Sequence, residues 1–312
     1  MASDSNASAS PLTIGQLIAG MGLFGSATPL SKIIGEHYPV FTASCLRMVI
    51  ASIVLAPFVL ALTSRYRDTA RSDWGVIAAI AAFGMVGFTA TMLFGMRLTT
   101  GVIGSTIMSA SPAITAAAAV VFFGAAMNWR KGGALALAVV GVVVVNVFRG
   151  GGGGGSGGAG DAALLGGLLV LVAVCFEAAY TLLSRKLSDG ITSLEATLAA
   201  SLLAAPLFVA LAFAFDPAPF DFSRGTERSL YALLFWGAGT GGLAPVLWYN
   251  GVRKAPGALT AGAMSVMPLT ALGLSYVLLG EAFRWVHLAG FGLVFAGLVL
   301  MIREHAADAQ DG

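Results

Sequence analysis

Two ionisable side chains sit well inside apolar stretches: Glu177 in CFEAAY and Arg47 in TASCLRMVI. A charge at the centre of a membrane span costs at least about 2.5–3.5 kcal/mol, so each needs a partner or a watery cavity. Two uses are open. The pair satisfies itself, which is structural, or Glu177 is a protonatable carboxylate that couples proton movement to some other step. Glu195 and Glu281 fall near the ends of apolar stretches and read as solvated.

A second group of residues is repeated. Ser105, Met108, Ser109 and Pro112 recur as Ala261, Met264, Ser265 and Pro268, each set at the i, i+3, i+4, i+7 spacing of one helix face. Pro112 lies about 17 Å along its helix at 1.5 Å per residue, near mid-membrane, and Pro268 lies equally deep. A proline there removes one N–H and frees the carbonyl four residues earlier, those of Met108 and Met264. Freed acceptors at this depth are tolerated where they are buried in protein or face a watery cavity. The two faces are expected to line one central pocket; the plainer reading is a pair of packing kinks.

Aromatic and amide groups extend the set. Trp248, Tyr249 and Asn250 close one apolar stretch, and Phe88, Met92 and Phe94 occupy the matching stretch of the first half. They serve either as interfacial anchors or as a wall for an apolar ligand. Tyr180, Ser26 and Thr28 lie at comparable depth as weaker candidates. Soluble-enzyme chemistry has no foothold. His37, His287 and His305 are scattered, so no metal cluster is expected, and Cys45 and Cys175 read as small buried hydrophobes. No nucleophile, base and acid converge, and no cofactor is expected. The glycine run RGGGGGGSGGAGD at 149–161 lacks the Gly-Lys-Ser/Thr ending of a phosphate loop and reads as a linker.

The elements that must position these residues follow from composition. Only 10% of the chain is charged against 57% hydrophobic, where soluble domains carry about 25% charge. Charges fall between apolar runs of about 20 residues, the length of a membrane-spanning helix. The expectation is an all-α polytopic membrane protein of ten transmembrane helices: roughly 12–34, 39–62, 73–97, 101–124, 130–148, 161–186, 191–215, 228–252, 257–279 and 285–303. Residues 1–11 lack a basic segment, so the first run is read as a span and not as a cleaved leader.

A gap-free shift of 156 residues brings Arg97 onto Arg253, Gly101 onto Gly257, Gly124 onto Gly280 and Trp129 onto Trp285; 13 positions of 95–148 are identical to 251–304. About 5 are expected by chance, so the chain contains an internal repeat. The expected units are 12–148 and 161–303, joined by a linker at 149–160. Each unit has five spans, an odd number, so the second enters the membrane inverted, a recurrent design of secondary transporters. Placing both termini in the cytoplasm puts ten basic residues inside against six outside, as the positive-inside rule requires. The rows Gly101, Ser105, Ser109 and Gly257, Ala261, Ser265 are of the small-xxx-small kind that lets helices approach closely in lipid.

With the paired Arg-then-small rows and the S-x-x-P and M-P steps before apolar runs, the chain resembles the EamA branch of the drug/metabolite transporter superfamily. The most specific stretch is PLTALGLSYVLLGEAFRWVHLAGFGLVFAGLVLMI, and the resemblance covers about 12–303. Within that branch it is most similar to YddG-type aromatic amino-acid exporters of the bacterial inner membrane. The resemblance implies efflux of amino acids or related metabolites by alternating access, with no fixed catalytic set. One departure is GAAMNW in the first half where the second has GEAFRW. The expected function is thus a secondary-active exporter of neutral or aromatic amino acids, with a small-molecule substrate, a lipid environment and no nucleic acid. Its ammonium would meet the freed carbonyls and serine hydroxyls, and its side chain the Met/aromatic wall. The alternatives are a proton-coupled cation or drug exporter using Glu177, and a membrane scaffold or sensor.

Overall fold

The computed structural model describes residues 10–60, 70–124, 128–147, 158–188 and 190–311. Most of the expected linker, Arg65 and Arg67 lie outside the described residues. Every regular element within them is helical. The chain runs through α1 (Pro11–His37), α2 (Val40–Leu60), α3 (Arg71–Ala79), a π-helical segment (Ile80–Gly87), α4 (Phe88–Leu98), α5 (Gly101–Met108), α6 (Ser111–Phe123) and α7 (Trp129–Val147). It continues through α8 (Gly158–Ser184), α9 (Ser193–Phe215), α10 (Glu227–Phe235), a second π segment (Trp236–Leu243), α11 (Ala244–Val252), α12 (Gly257–Ala263), α13 (Val266–Leu279) and α14 (Trp285–Asp311).

Six of these helices or continuous helix runs are long and apolar enough to cross a membrane: Pro11–His37, Val40–Val59, Arg71–Leu98, Ala162–Ser184, Ser193–Phe215 and Glu227–Val252. A seventh span results if α5 and α6, bent by 40° at their junction, are one span; Val266–Leu279 and Trp285–Leu300 are shorter apolar helices. Large apolar side chains point outward as well as inward. Phe122 and Val277 are 77% and 78% exposed, a surface suited to a lipid environment. The molecule is a polytopic helical membrane protein.

The order helix, π segment, helix, short helix, helix appears twice, and the two π segments are displaced from each other by the same 156 residues that relate the sequence repeats. Local chemistry explains the matching breaks. Pro112 is the second residue of α6 and Pro268 the third of α13, so each proline, lacking an N–H, starts a helix instead of bending one. Gly124 and Gly280 end α6 and α13 in the left-handed conformation, both with φ of 64°, where glycine carries no steric penalty. Near each π segment, glycines admit neighbouring side chains: a Cβ at Gly84 would lie 2.8 Å from Tyr180 of α8, and one at Gly237 would lie 2.7 Å from Ile50 of α2.

Gly95 meets Gly166, and Gly84 meets Tyr180, so α8 runs antiparallel to α4. The C-terminus of α8 therefore lies at the opposite end of the bundle from the start of α5. Several sequence expectations are revised by packing. Cys45 is buried, but Cys175 is exposed on the outer face of α8, because an apolar run in lipid does not distinguish core from surface. Glu195 is buried and closes a reciprocal capping box with Thr192 at the start of α9. Helix α8 begins at Gly158, three residues ahead of the expected 161.

Candidate functional site

A cavity of about 390 Å³ lies between the two halves of the chain. Both π segments contribute to its wall: Gly84 and Met85 from the first, Trp236, Thr240 and Gly241 from the second. Such segments widen the helix by one residue per turn and recur at functional sites. Both proline breaks contribute too, through Met108, Ser109 and Pro112 on one side and Met264, Met267 and Pro268 on the other.

Most of the residues singled out from the sequence meet here. Ser105, Met108, Ser109, Met264, Met92, Tyr180, Trp248, Tyr249, Glu177, Pro112 and Pro268 all line the cavity, as do Thr28, Phe88 and Arg47. Ser265, Asn250, Phe94 and Ser26 do not. Ser265 donates to Gly262 O at 2.7 Å, held in the break between α12 and α13, and Ser26 donates to Leu23 O at 2.6 Å. The first-half serines are also engaged: Ser105 shares a hydrogen bond with Ser275 of α13 at 3.0 Å, and Ser109 donates to Ser105 O at 2.7 Å. Gly257 and Ala261, the matching row on α12, lie outside the residues whose side chains are described. In the first half the row does face a neighbour, since a Cβ at Gly101 would meet Leu279, Glu281 and Ser275.

Of the two uses left open for Arg47 and Glu177, the mutual ion pair is not formed. Arg47 Nη1 donates to Thr89 Oγ1 at 2.8 Å, and its guanidinium carbon lies 4.5 Å from the centre of the Trp236 ring, a cation–π contact. Its Nε has no partner. Ser111 lies beside the Glu177 carboxylate on the cavity wall, and Oε2 of that group has no hydrogen-bond partner. A hydroxyl network completes the wall: Tyr180 bonds Tyr249 at 3.1 Å and Thr197 at 3.3 Å through its phenolic oxygen.

The two ends of the cavity differ. It extends to Ser184, the last residue of α8, and Ser193, the first of α9. The opposite end of the bundle carries a set of helix caps made between different helices. Glu281 accepts hydrogen bonds from the N–H groups of Gly101 and Val102 at the start of α5. Arg97 donates to the carbonyls of Gly35 and Tyr38 at 2.5 and 2.6 Å, where α1 ends. Asp216 accepts from the N–H of Phe41 and Thr42 at 3.2 and 2.8 Å, where α2 begins. Each charge sits at the helix terminus whose partial charge it opposes. The sequence reading placed Glu281 in solvent; its capping role was hidden because its partners lie 180 residues away. The second-half position matching Arg97 is Arg253, and it is exposed.

A polytopic helix bundle with a cavity between its two halves is compatible with a membrane transporter, and comparison with known proteins defines the class. The EamA-like transporter family matches twice, at residues 12–147 and 164–303. The chain belongs to that family. It is 31% identical over 294 residues to the "Uncharacterized transporter YetK" of Bacillus subtilis, covering 94% of this chain and 88% of the relative. It is 26% identical over 292 residues to a "Probable terminal-alkyne amino-acid exporter" of Streptantibioticus cattleyicolor, covering 92% of each. One solved crystal structure superposes with a TM-score of 0.65 at 17% identity, over 94% of this chain and 96% of that one, a likeness of fold.

Proposed function

We propose that this EamA-family transporter is a secondary-active exporter of neutral, aromatic amino acids that works by alternating access. The observation that carries the reading is a cavity walled by equivalent breaks from both halves, with interhelical caps gathered at one end of the bundle. Ten spans, arranged as two inverted five-helix units, place that cavity on the pseudo-symmetry axis, where exchanging the halves' conformations moves the opening to the other face. The recurrence of the π segments and C-cap glycines at one offset supports this arrangement. With both termini in the cytoplasm of a bacterial-type inner membrane, the capped end faces outward as the closed end in this reading, and the end at Ser184 and Ser193 faces inward as the open one. The wall of Met92, Met108, Met264 and Trp248 suits an apolar or aromatic side chain, and the resemblance to a named amino-acid exporter supports the substrate class.

Counterflow of labelled phenylalanine into proteoliposomes preloaded with unlabelled phenylalanine tests the reading. Transient accumulation above equilibrium is expected; its absence across neutral amino acids, with folded protein in the vesicles, overturns it. A second reading, a proton-coupled cation or drug exporter, is favoured by the Glu177 carboxylate in the cavity wall. It requires drug efflux that follows an imposed proton gradient and is lost in Glu177→Gln.

A further inference from the structure

Two opposite charges share the cavity without meeting. Among the described residues, Arg47 and Glu177 are the only Asp, Glu, Lys or Arg side chains on its wall. Oppositely charged groups in a low-dielectric hollow gain strongly by pairing, and here the fold holds them apart. Thr89 and the Trp236 ring fix the guanidinium of Arg47. Glu177, on α8, lies beside Ser111 at the start of α6. Each group keeps one buried polar atom unsatisfied, Nε of Arg47 and Oε2 of Glu177. Such atoms are costly in a finished structure, and the two side chains that carry them line one cavity.

We propose that Arg47 and Glu177 are the two poles of a clamp for a zwitterion: Arg47 receives the α-carboxylate and Glu177 the α-ammonium of the amino acid bound in the cavity. The proposal rests on the cavity being the substrate site. It gives the ammonium a full counter-charge at Glu177, where the serine hydroxyls of Ser105 and Ser109 offer only lone pairs and Ser265 lies off the wall. The class of ligand follows from charge balance. An amine leaves the guanidinium without a counter-charge, an organic anion leaves the carboxylate without one, and a zwitterion neutralises both at no net charge. The side chain then lies along Trp236, Met108 and Met264. Because guanidinium–carboxylate contact is charge-assisted, each pole carries roughly tenfold or more in affinity.

The test uses the full chain in proteoliposomes, with labelled phenylalanine counterflow competed by three unlabelled compounds. These are phenylalanine, phenethylamine, which lacks the carboxylate, and 3-phenylpropionate, which lacks the ammonium. Wild type is expected to prefer phenylalanine over either analogue by about tenfold or more. Arg47→Gln should narrow the preference over phenethylamine and leave that over 3-phenylpropionate; Glu177→Gln should do the reverse. The clamp is overturned if wild type competes equally with all three, or if each variant weakens all three in equal proportion. It is also overturned if Glu177→Gln leaves gradient-free counterflow and its selectivity intact, as a pure proton carrier would. The wild-type comparison decides even where a variant does not fold. Each of these results leaves phenylalanine transport standing, whereas the absence of counterflow strikes the proposed function itself.

Discussion

The carboxylate of Glu281, just beyond the end of α13, caps the N-terminus of α5 through the backbone N–H groups of Gly101 and Val102. The contact joins the two halves at the capped end of the bundle, and its first-half counterpart position is Ala125, which has no carboxylate. Capping bonds of this kind contribute about 1 kcal/mol. Glu281→Ala should therefore weaken the closed end. A cysteine at Ser105 should then react several-fold faster with a membrane-impermeant thiol reagent applied from that side. An unchanged labelling rate would show that Glu281 does not hold the closure.

Arg97 makes the matching contact at the end of α1. Its planar fork reaches Gly35 O and Tyr38 O together, which a lysine ammonium cannot reproduce with the same geometry. Arg97→Met leaves two helix-end carbonyls without donors and should lower stability by about 1–3 kcal/mol. Arg97→Lys should recover only part of that. Thermal unfolding in detergent reads both; equal midpoints for wild type and Arg97→Met would contradict the assignment.

Close approach at Gly101 makes it intolerant of a side chain. A Cβ there would meet Leu279 and Ser275 of α13, so Gly101→Val should keep the closed end from forming. The expected outcome is protein that inserts and is retained at near wild-type levels but shows no counterflow. Wild-type counterflow in Gly101→Val would mean that α5 and α13 need not meet during transport.

The cavity wall makes a contrast among residues that looked equivalent in sequence. Tyr249→Phe removes a hydroxyl bonded to Tyr180 and should raise KM about 2–10-fold. Ser265→Ala and Asn250→Ala lie off the wall and should change KM less than about twofold. Equal effects from all three substitutions would place the substrate elsewhere.

Much of this site is legible in the sequence, for identifiable reasons. Pro112 and Pro268 stand out because a proline inside an apolar run has an unavoidable backbone consequence, and Met108 and Met264 follow from helical spacing. Tyr180, Trp248 and Tyr249 announce themselves as polar-tipped aromatics inside a membrane span. What stays hidden depends on long-range partners. Glu281 resembles any solvated span-end carboxylate until α5 is placed against it, and Glu195 until its cap is drawn. Ser265 shares its spacing with Ser109, but its hydroxyl turns to Gly262 once the helix breaks at Ala263. The exposure of Cys175 is illegible for a different reason: in lipid both faces of a helix are apolar, so periodicity marks no core. The π segments carry no sequence signature beyond their glycines.

The central claim, that substrate passes through the cavity between the two halves, is tested most directly at Met108. In a chain lacking Cys45 and Cys175, Met108→Cys should permit phenylalanine counterflow and lose it on reaction with a small thiol reagent. Excess phenylalanine should slow that reaction. Stoichiometric modification of Cys at this position with counterflow undiminished, in folded and reconstituted protein, would contradict the account.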